Sequence, residues 1–409
     1  MRDQIVHDEP EVSGVLQSPR IRQLIMLGPA FVVATAFIDP GNVATNIVAG
    51  SQHGYLLLWV VISACIIGAF VQYLAAKLGL ATGRSLAAEI RRRYPRPVSW
   101  SLWAIAEVII ILTDLAEFVG GAIALNLLFG IPLVAGALIT AVASVGIIAL
   151  RMRGRQVFTA FTIGLLFAVV VAYIVMLIRV GVGGEVVDGL VPRLDGADSV
   201  LLAAGIVGAT VMPHALFLHS TLSKKRQRVD EAQMPSPSTL PGVRRDIGAA
   251  MAVAGFVNVA ILLAAATIPA ALGGSLDDAA AYLATLGPYD IVFGAALLAA
   301  ALASACSGVY SGQTVMADFI GKQLNVWLRR AITVAPSLLI IALVPNPTEA
   351  LVLSQVGLSL CLPFALIPLI HLTSSRAVMG EWRNRRIVMA LAGCCAALII
   401  AINAALLLS

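Results

Sequence analysis

LIMLGPAFVVATAFIDPGNVATNIVAG, residues 24–50, is a long apolar segment that is interrupted by Asp39-Pro40-Gly41-Asn42. Proline lacks a backbone N–H and glycine loosens the chain, so carbonyl groups in the preceding turn lose their helical partners. Inside a membrane those oxygens need another partner, and a carboxylate there is costly. The segment therefore predicts a broken membrane helix with a functional site at the break.

The composition of the whole chain is that of a membrane protein. Of its 409 residues, 59% are hydrophobic and 12% are charged, and the mean hydropathy is +0.94. Apolar runs of about 20 residues or more predict helices rather than the alternating strands of an outer-membrane barrel. We expect an all-α polytopic protein of about eleven transmembrane helices. The predicted spans are near 23–48, 54–80, 100–128, 131–150, 156–179, 199–221, 246–272, 288–317, 328–345, 349–373 and 387–408.

The basic residues predict the orientation of these spans. With the N-terminus inside, 25 of the 27 Lys and Arg residues fall on the cytoplasmic side, as the positive-inside rule requires. An odd number of spans then places the C-terminus in the extracellular or periplasmic space. The net charge of +5 reflects this topology rather than a nucleic-acid-binding surface. We expect a multi-pass protein of the plasma (inner) membrane.

The tail and the longest loop carry no domain of their own. Residues 1–20 lack an apolar h-region, so the first span must serve as its own insertion signal. The loop near 222–245 is basic and rich in proline and serine, and contact with anionic lipid headgroups is the only further role that we expect of it.

A second interrupted segment predicts internal repetition. The sixth span contains ATVMPH, residues 209–214, in which proline again follows small residues. Five spans separate the two interruptions, so the two segments enter the membrane from opposite sides, as in a five-plus-five inverted repeat. Paired interruptions of this kind predict a transport site at the membrane midplane. The predicted parts are a cytoplasmic tail at 1–22, a first repeat at 23–180, a second repeat at 199–373 and an eleventh helix at 387–408.

The two breaks together offer ligands for a metal ion. Asp39 supplies a carboxylate and Asn42 an amide oxygen, while Pro213 frees the carbonyl of Ala209 about one turn from the Met212 sulfur. A soft sulfur ligand favours later first-row ions and Cd²⁺ over Mg²⁺ or Ca²⁺. The plainer alternatives are a proline kink with Asp39 paired to a cation and a methionine that only packs in the core.

The third span carries three carboxylates on one face. Glu107 and Asp114 are seven residues apart, and Glu117 follows at the next i, i+3 position, so all three line one stripe. A stripe of this kind must face the protein interior or a water path. It serves either as a route for protons or as a set of structural ion pairs, with Arg329 or Arg330 as the natural partner.

Two further polar residues lie close to the predicted site. His214 follows the second break and either relays protons or only lines a wet cavity. Gln355, in the tenth span, either closes the outer vestibule, gives the ion an amide oxygen or makes a plain interhelical hydrogen bond.

Several longer segments accompany the two interruptions and carry a family resemblance. They are AKLGLATGRSL and RRYPRPV after the second span, TDLAEFVGGAI in the third, LVLSQVGLSLCLPFALIPL in the tenth and MGEWRNRR before the eleventh. With DPGN and MPH, they resemble the natural resistance-associated macrophage protein (Nramp) family of divalent metal transporters. The resemblance covers nearly the whole chain.

The resemblance implies a LeuT-like fold with broken helices 1 and 6 that imports Mn²⁺ or Fe²⁺, and also Cd²⁺, with protons moving inward. The implied metal ligands are Asp39, Asn42, Met212, the Ala209 carbonyl and, in some states, Gln355. The implied proton network consists of Asp39, Glu107, Asp114, Glu117, His214 and Arg330. Relatives that carry Mg²⁺ lack the methionine, so Met212 argues against that branch. The metal is then the transported substrate, and no cofactor and no obligate protein partner are expected.

Three other functions fit parts of the pattern. A sodium-coupled amino acid symporter on the same fold would direct half-helix N-termini at a carboxylate substrate, which an acidic residue at the break opposes. An intramembrane metallo-enzyme needs closely spaced ligands, and no H-E-x-x-H motif occurs in the sequence. A metal-sensing receptor would bind the ion without flux.

Overall fold

The computed structural model describes residues 29–152, 155–229, 240–321, 325–344 and 346–408. These residues are almost entirely helical, and no β-strand occurs among them. The prediction of an all-α protein is therefore confirmed. The predicted tail at 1–22 lies outside the described residues, and the bounds of the two repeats stay predictions.

Sixteen α-helices are described, and we number them in chain order. They are α1 Pro29–Ala34, α2 Pro40–His53, α3 Leu58–Thr82, α4 Leu86–Arg93, α5 Arg96–Phe129, α6 Leu133–Met152, α7 Arg155–Val180, α8 Gly196–Val211, α9 Pro213–Val229, α10 Leu240–Ala265, α11 Leu276–Thr285, α12 Tyr289–Ile320, α13 Val326–Leu343, α14 Pro347–Ser374, α15 Arg376–Met379 and α16 Arg386–Leu408. Short 3-10 helices occur at Thr35–Phe37, Gly184–Leu190, Ala270–Leu272 and Gly380–Trp382.

Eight helical stretches of the described residues are long and apolar enough to cross a membrane, and one of them, Gly196–Lys224, is formed by α8 and α9 together. The stretches Leu133–Ile147 and Ala331–Leu343 are shorter apolar helices. The predicted count of eleven spans is not confirmed by this criterion. The first predicted span is divided between α1 and α2, and the sixth between α8 and α9. Both predicted helix breaks are therefore present.

The structure contains two short helices that the sequence analysis did not predict, and one predicted span ends earlier than expected. Helix α4 begins at an N-cap serine, Ser85, and α11 begins at a capping box formed by Ser275 and Asp278. The predicted seventh span ran to residue 272, whereas α10 ends at Ala265. The residue before Pro269 disfavours helical backbone, which accounts for the earlier end.

The short helices mark the two ends of the bundle. At the α4 end, the backbone N–H of Leu86 donates to the Ser220 hydroxyl of α9. At the α11 end, the N–H of Leu276 donates to the Thr348 hydroxyl at the start of α14. The broken helices lie between these two ends.

Two glycines allow the broken helices to pack closely against their neighbours. A Cβ on Gly120 of α5 would overlap the Pro40 ring, and one on Gly208 of α8 would overlap the Gln355 carbonyl of α14. Helices α5, α8 and α14 therefore hold both breaks at the centre of the bundle, because only glycine permits these approaches.

Candidate metal site

The first break begins where the 3-10 helix ends at Phe37. Asp39 is the N-cap of α2, with extended backbone (φ −94°, ψ 164°), and Pro40 occupies the first helical turn. The Asp39 Oδ1 accepts the backbone N–H of Asn42 at 2.9 Å. The Phe37 carbonyl accepts Nδ2 of Asn258, on α10, at 3.1 Å. One carbonyl that the break frees is thus satisfied by a side chain that the sequence prediction missed.

The second break is centred on Met212, which ends α8. Its φ of 36° is the only positive value outside glycine among the described residues. Side chains other than glycine adopt this region at a cost of about 1–3 kcal/mol, and such strain concentrates at functional sites. Pro213 then starts α9. The prediction of a helix break at Met212-Pro213 is therefore confirmed.

A single carboxamide joins the two breaks. Asn42 Nδ2 donates to Asp39 Oδ1 at 2.8 Å and to the Ala209 carbonyl, 167 residues away, also at 2.8 Å. The Thr210 hydroxyl donates to Asn42 Oδ1 at 3.2 Å. The structure thus brings Asp39, Asn42 and Ala209 together, and it adds Thr210, which the sequence prediction missed.

Gln355 of α14 closes the site beside Gly41. A Cβ on Gly41 would overlap the Gln355 amide and lie 2.9 Å from Asp39 Oδ2. Gln355 Nε2 donates to the Ser354 hydroxyl at 3.0 Å. Asp39 Oδ2 and Gln355 Oε1 are both buried and accept no hydrogen bond from the described residues. The Asp39 carboxylate and the Gln355 amide approach each other at Gly41, and each carries an oxygen without a donor, which is an arrangement that a cation stabilises.

All five predicted metal ligands are sealed from solvent. Asp39 is 1% exposed, and Asn42, Ala209, Met212 and Gln355 are 0% exposed. Met212 follows Ala209 by about one helical turn, so its side chain belongs to the same break. An ion can reach or leave this point only if the surrounding helices move.

The site differs from the sequence prediction in the orientation of Asn42. Its oxygen faces Thr210, and its nitrogen faces the two oxygens that were expected to bind metal. Coordination through the amide oxygen therefore requires the carboxamide to rotate by about 180°. The described residues contain no group of three or more His, Cys, Asp or Glu side chains that could hold a metal ion. The mixed set of oxygen donors and sulfur at the two breaks is the candidate.

The predicted acidic stripe on α5 faces α12 and α13. Glu107 Oε2 accepts a hydrogen bond from Arg329 Nη2 at 2.8 Å, and its Oε1 accepts one from Trp103 Nε1 at 3.0 Å. Arg329 is only 7% exposed, so it is the arginine that reaches the stripe. The side chain of Arg330, which was predicted to take part, lies outside the described part of the structure.

The other two carboxylates continue the stripe towards the breaks. Glu117 accepts the Ser304 hydroxyl at 3.1 Å and packs against Gly308, where a Cβ would overlap the carboxylate. Asp114 lines a cavity of about 10 Å³ with Gly308 and Arg329. That volume is about what one water molecule needs. The stripe is therefore a chain of polar groups inside the bundle.

His214 connects the second break to this stripe. Its Nδ1 lies 3.1 Å from the Thr113 hydroxyl, which donates its single hydrogen to the Ile109 carbonyl at 2.9 Å. A neutral imidazole carries its proton on one ring nitrogen and accepts a hydrogen bond on the other. Nε2 is buried and has no partner among the described residues. Asp114 lies close enough to His214 to interact with it electrostatically.

Sequence reasoning missed the supporting groups because they are uncharged. Asn258, Thr210, Thr113 and Ser304 are single polar residues in apolar helices, and nothing in their spacing distinguishes them from residues that only pack. Their partners at the site are 101 or more positions away in the sequence, and the smallest separation is that of Thr113 and His214.

Comparison with known proteins identifies the family. Residues 30–409 match the family described as Natural resistance-associated macrophage protein-like. The chain belongs to this family. It is 45% identical, over 98% of its length and 99% of the relative, to the divalent metal cation transporter MntH of Aeromonas hydrophila. It is 44% identical to the protein of that name from Bacillus subtilis, over 93% of this chain and 91% of the relative.

Solved structures agree with the Nramp assignment. A mutant of the Eremococcus coleocola manganese transporter has a TM-score of 0.83 and 28% identity, over 98% of this chain and 90% of that one. A nucleobase-cation-symport-1 family transporter gives a TM-score of 0.61 at 17% identity, and MhsT in complex with L-phenylalanine gives 0.58 at 14%. The last two show the fold alone, and they confirm that it is LeuT-like.

Proposed function

We propose that this Nramp chain imports divalent transition-metal ions, Mn²⁺ and Fe²⁺ and also Cd²⁺, together with protons, by alternating access. The relatives named as divalent metal cation transporters and as a manganese transporter support the substrate class. One observation carries the proposal: the Asp39 carboxylate is fully buried where two helix breaks meet, beside a second oxygen that lacks a donor. The protein acts as a carrier and not as an enzyme.

The mixture of ligands explains the choice of ion. Asp39, Gln355 and the Ala209 carbonyl supply oxygens, which also suit Mg²⁺ and Ca²⁺. Met212 replaces one oxygen by sulfur, and this penalises the hard and abundant ions more than the later first-row ions. The sulfur therefore acts as the filter, and the carboxylate supplies the attraction.

Proton coupling follows from the carboxylate in the site. A cation at Asp39 favours the ionised carboxylate, so metal binding releases a proton. The released proton passes to His214 and then along the stripe of carboxylates from Glu117 to Asp114. Glu107, paired with Arg329, ends this route at the α4 end, and Arg330 is the second basic residue there.

Alternating access follows from the closure of the site on both sides. The distribution of Lys and Arg places the N-terminus and the α4 end in the cytoplasm, in a multi-pass protein of the plasma membrane. The half-helices that meet at Asn42 hinge to open the site to one side at a time. Rotation of the Asn42 carboxamide, which exchanges its nitrogen for its oxygen, accompanies ion binding.

Metal uptake by purified protein in liposomes tests the proposal. Asp39→Asn keeps the size of the side chain but removes its charge, so we expect uptake of Mn²⁺ to be abolished. Asp198→Asn, at an exposed position in the first turn of α8, is the matched control and should retain uptake. Near-normal Mn²⁺ uptake by the Asp39 variant would contradict the site assignment.

Competition between ions tests the sulfur filter. Met212→Ala should increase inhibition of Mn²⁺ uptake by Ca²⁺ or Mg²⁺ more than it slows Mn²⁺ uptake itself, because the hard ions then lose their penalty. Unchanged competition by Ca²⁺ would rule out this role of the sulfur.

The same preparation distinguishes the other functions. Metal binding without flux into liposomes would indicate a receptor. Thermal stabilisation by amino acids, with none by Mn²⁺, would indicate a symporter of amino acids.

A further inference from the structure

A buried ammonium group lies near the α4 end, away from the metal site. Lys77 on α3 is 7% exposed, and its Nζ donates to Asn384 Oδ1 at 2.8 Å. Its hydrogen-bond partner among the described residues is this neutral amide, and no carboxylate of the described residues forms a salt bridge with it. A buried cation without a counter-charge is costly, and a bound anion would offset that cost.

A second cation, Arg244, lies against the face of α3 that carries Lys77. Arg244, near the start of α10, stacks over the Tyr73 ring at 4.8 Å and donates to its hydroxyl at 3.1 Å. Tyr73 and Lys77 are four residues apart and therefore neighbours on one helix face. Arg244 is exposed, and none of the salt bridges between described residues includes it.

A buried donor without a partner lies between these groups. Asn384 is 4% exposed, and its Nδ2 has no hydrogen-bond partner among the described residues. Because Oδ1 of the same amide accepts from Lys77, Nδ2 must lie close to the ammonium group. The backbone N–H of Asn384 donates to the Thr373 carbonyl at 3.2 Å, which fixes the residue in place. The groups here that can make further hydrogen bonds, the Lys77 ammonium and Asn384 Nδ2, are both donors.

The surroundings of these donors are those of a lipid site. The three helices concerned, α3, α10 and α16, each expose large apolar side chains. These are Ile66 at 65%, Phe256 at 45%, Ile387 at 75% and Leu391 at 53%. Arg244 and Asn384 lie at or near the starts of α10 and α16, and the exposed apolar side chains lie further along these helices. This order matches that of headgroups and acyl chains in a bilayer leaflet.

We infer that Lys77, Arg244 and Asn384 form a site for the phosphate of an anionic phospholipid in the leaflet at the α4 end. The two cations supply charge, the amide supplies a directed donor and the apolar surfaces hold the acyl chains. A soluble phosphate shares the first two of these interactions but not the contact with the apolar surfaces. The sequence had indicated headgroup contact for the loop near 222–245, and Arg244 is the residue of that loop that the structure places here.

Exchange of lipids around the purified full-length protein tests the inference. Thermal unfolding is measured in nanodiscs of phosphatidylcholine alone and of phosphatidylcholine with increasing phosphatidylglycerol. We expect phosphatidylglycerol to raise the unfolding temperature in a saturable way. Arg244→Gln should weaken the apparent affinity for this lipid roughly fivefold, the value that one basic group near a membrane surface contributes. Lys77→Gln should weaken it at least as much, if that variant folds.

Two controls separate this site from general effects. Arg96→Gln removes a charge from an exposed position at the start of α5 and should leave the lipid dependence unchanged. Inorganic phosphate and glycerol 3-phosphate in detergent should not reproduce the effect of the lipid. Equal stabilisation by inorganic phosphate would overturn the lipid assignment, and an Arg244→Gln variant with the lipid dependence of the unmodified protein would overturn the site.

Discussion

Gly41→Ala is the substitution whose effect on the metal site the geometry predicts most directly. The new Cβ would overlap the Gln355 amide and lie 2.9 Å from Asp39 Oδ2. Gly41 is not among the glycines with positive φ, so the backbone itself accepts alanine. The predicted loss comes only from crowding between α2 and α14.

The size of the loss follows from what must move. Overpacking costs about 1–3 kcal/mol, and the Gln355 side chain yields more easily than the backbone, so we expect about 1–2 kcal/mol. That energy corresponds to a roughly 5- to 30-fold weaker affinity for Mn²⁺. The affinity is measured by titration calorimetry in detergent and as the KM of Mn²⁺ uptake in liposomes.

A double substitution separates crowding from other causes. Gln355→Ala removes the side chain that the new methyl group would displace, so adding Gly41→Ala to it should cost less than about twofold. Gly146→Ala is the matched control, because nothing lies within 4 Å of its Cβ. Unchanged Mn²⁺ affinity in Gly41→Ala, or an equal loss in the Gln355→Ala background, would refute the contact between the break and α14.

Two further predictions concern groups that the structure pairs. Arg329→Gln leaves Glu107 without its cation and should lower the stability in detergent by about 3 kcal/mol, as for other buried pairs. Adding Glu107→Gln should recover part of this loss, and simple additivity in thermal unfolding would contradict the pairing. Ser275→Ala should cost about 1 kcal/mol through its cap of α11. The Ser275 hydroxyl holds the pKa of Asp278 below its usual range, so the hydrogen bond between them stabilises the protein above about pH 4. The part of the Ser275→Ala loss that comes from this hydrogen bond should disappear at lower pH. A loss of stability that does not shrink in acid would contradict the role of this hydrogen bond.

The broken helices show what a single sequence reveals. Proline and a carboxylate in an apolar segment are local signals, and they located both helix breaks, whereas the five predicted metal ligands stay predictions. The orientation of Asn42 had no such signal, because its nitrogen faces Ala209 only when a residue 167 positions away is in place. The caps of α4 and α11 were visible in the sequence and were overlooked because both helices are short.

The arginine that pairs with Glu107 is a second feature that the sequence alone did not determine. The sequence indicated that Arg329 or Arg330 would reach the acidic stripe, since both begin the same helix. Only the packing of α13 against α5 shows that Arg329 contacts Glu107.

The sequence by itself determined the class of the protein and the two breaks, because hydropathy and proline act locally. Tertiary structure decided which oxygens lack donors and how Lys77, Arg244 and Asn384 meet. These features depend on contacts between helices far apart in the chain. A bilayer requires each buried polar group to find a partner, but it does not specify which helix supplies that partner.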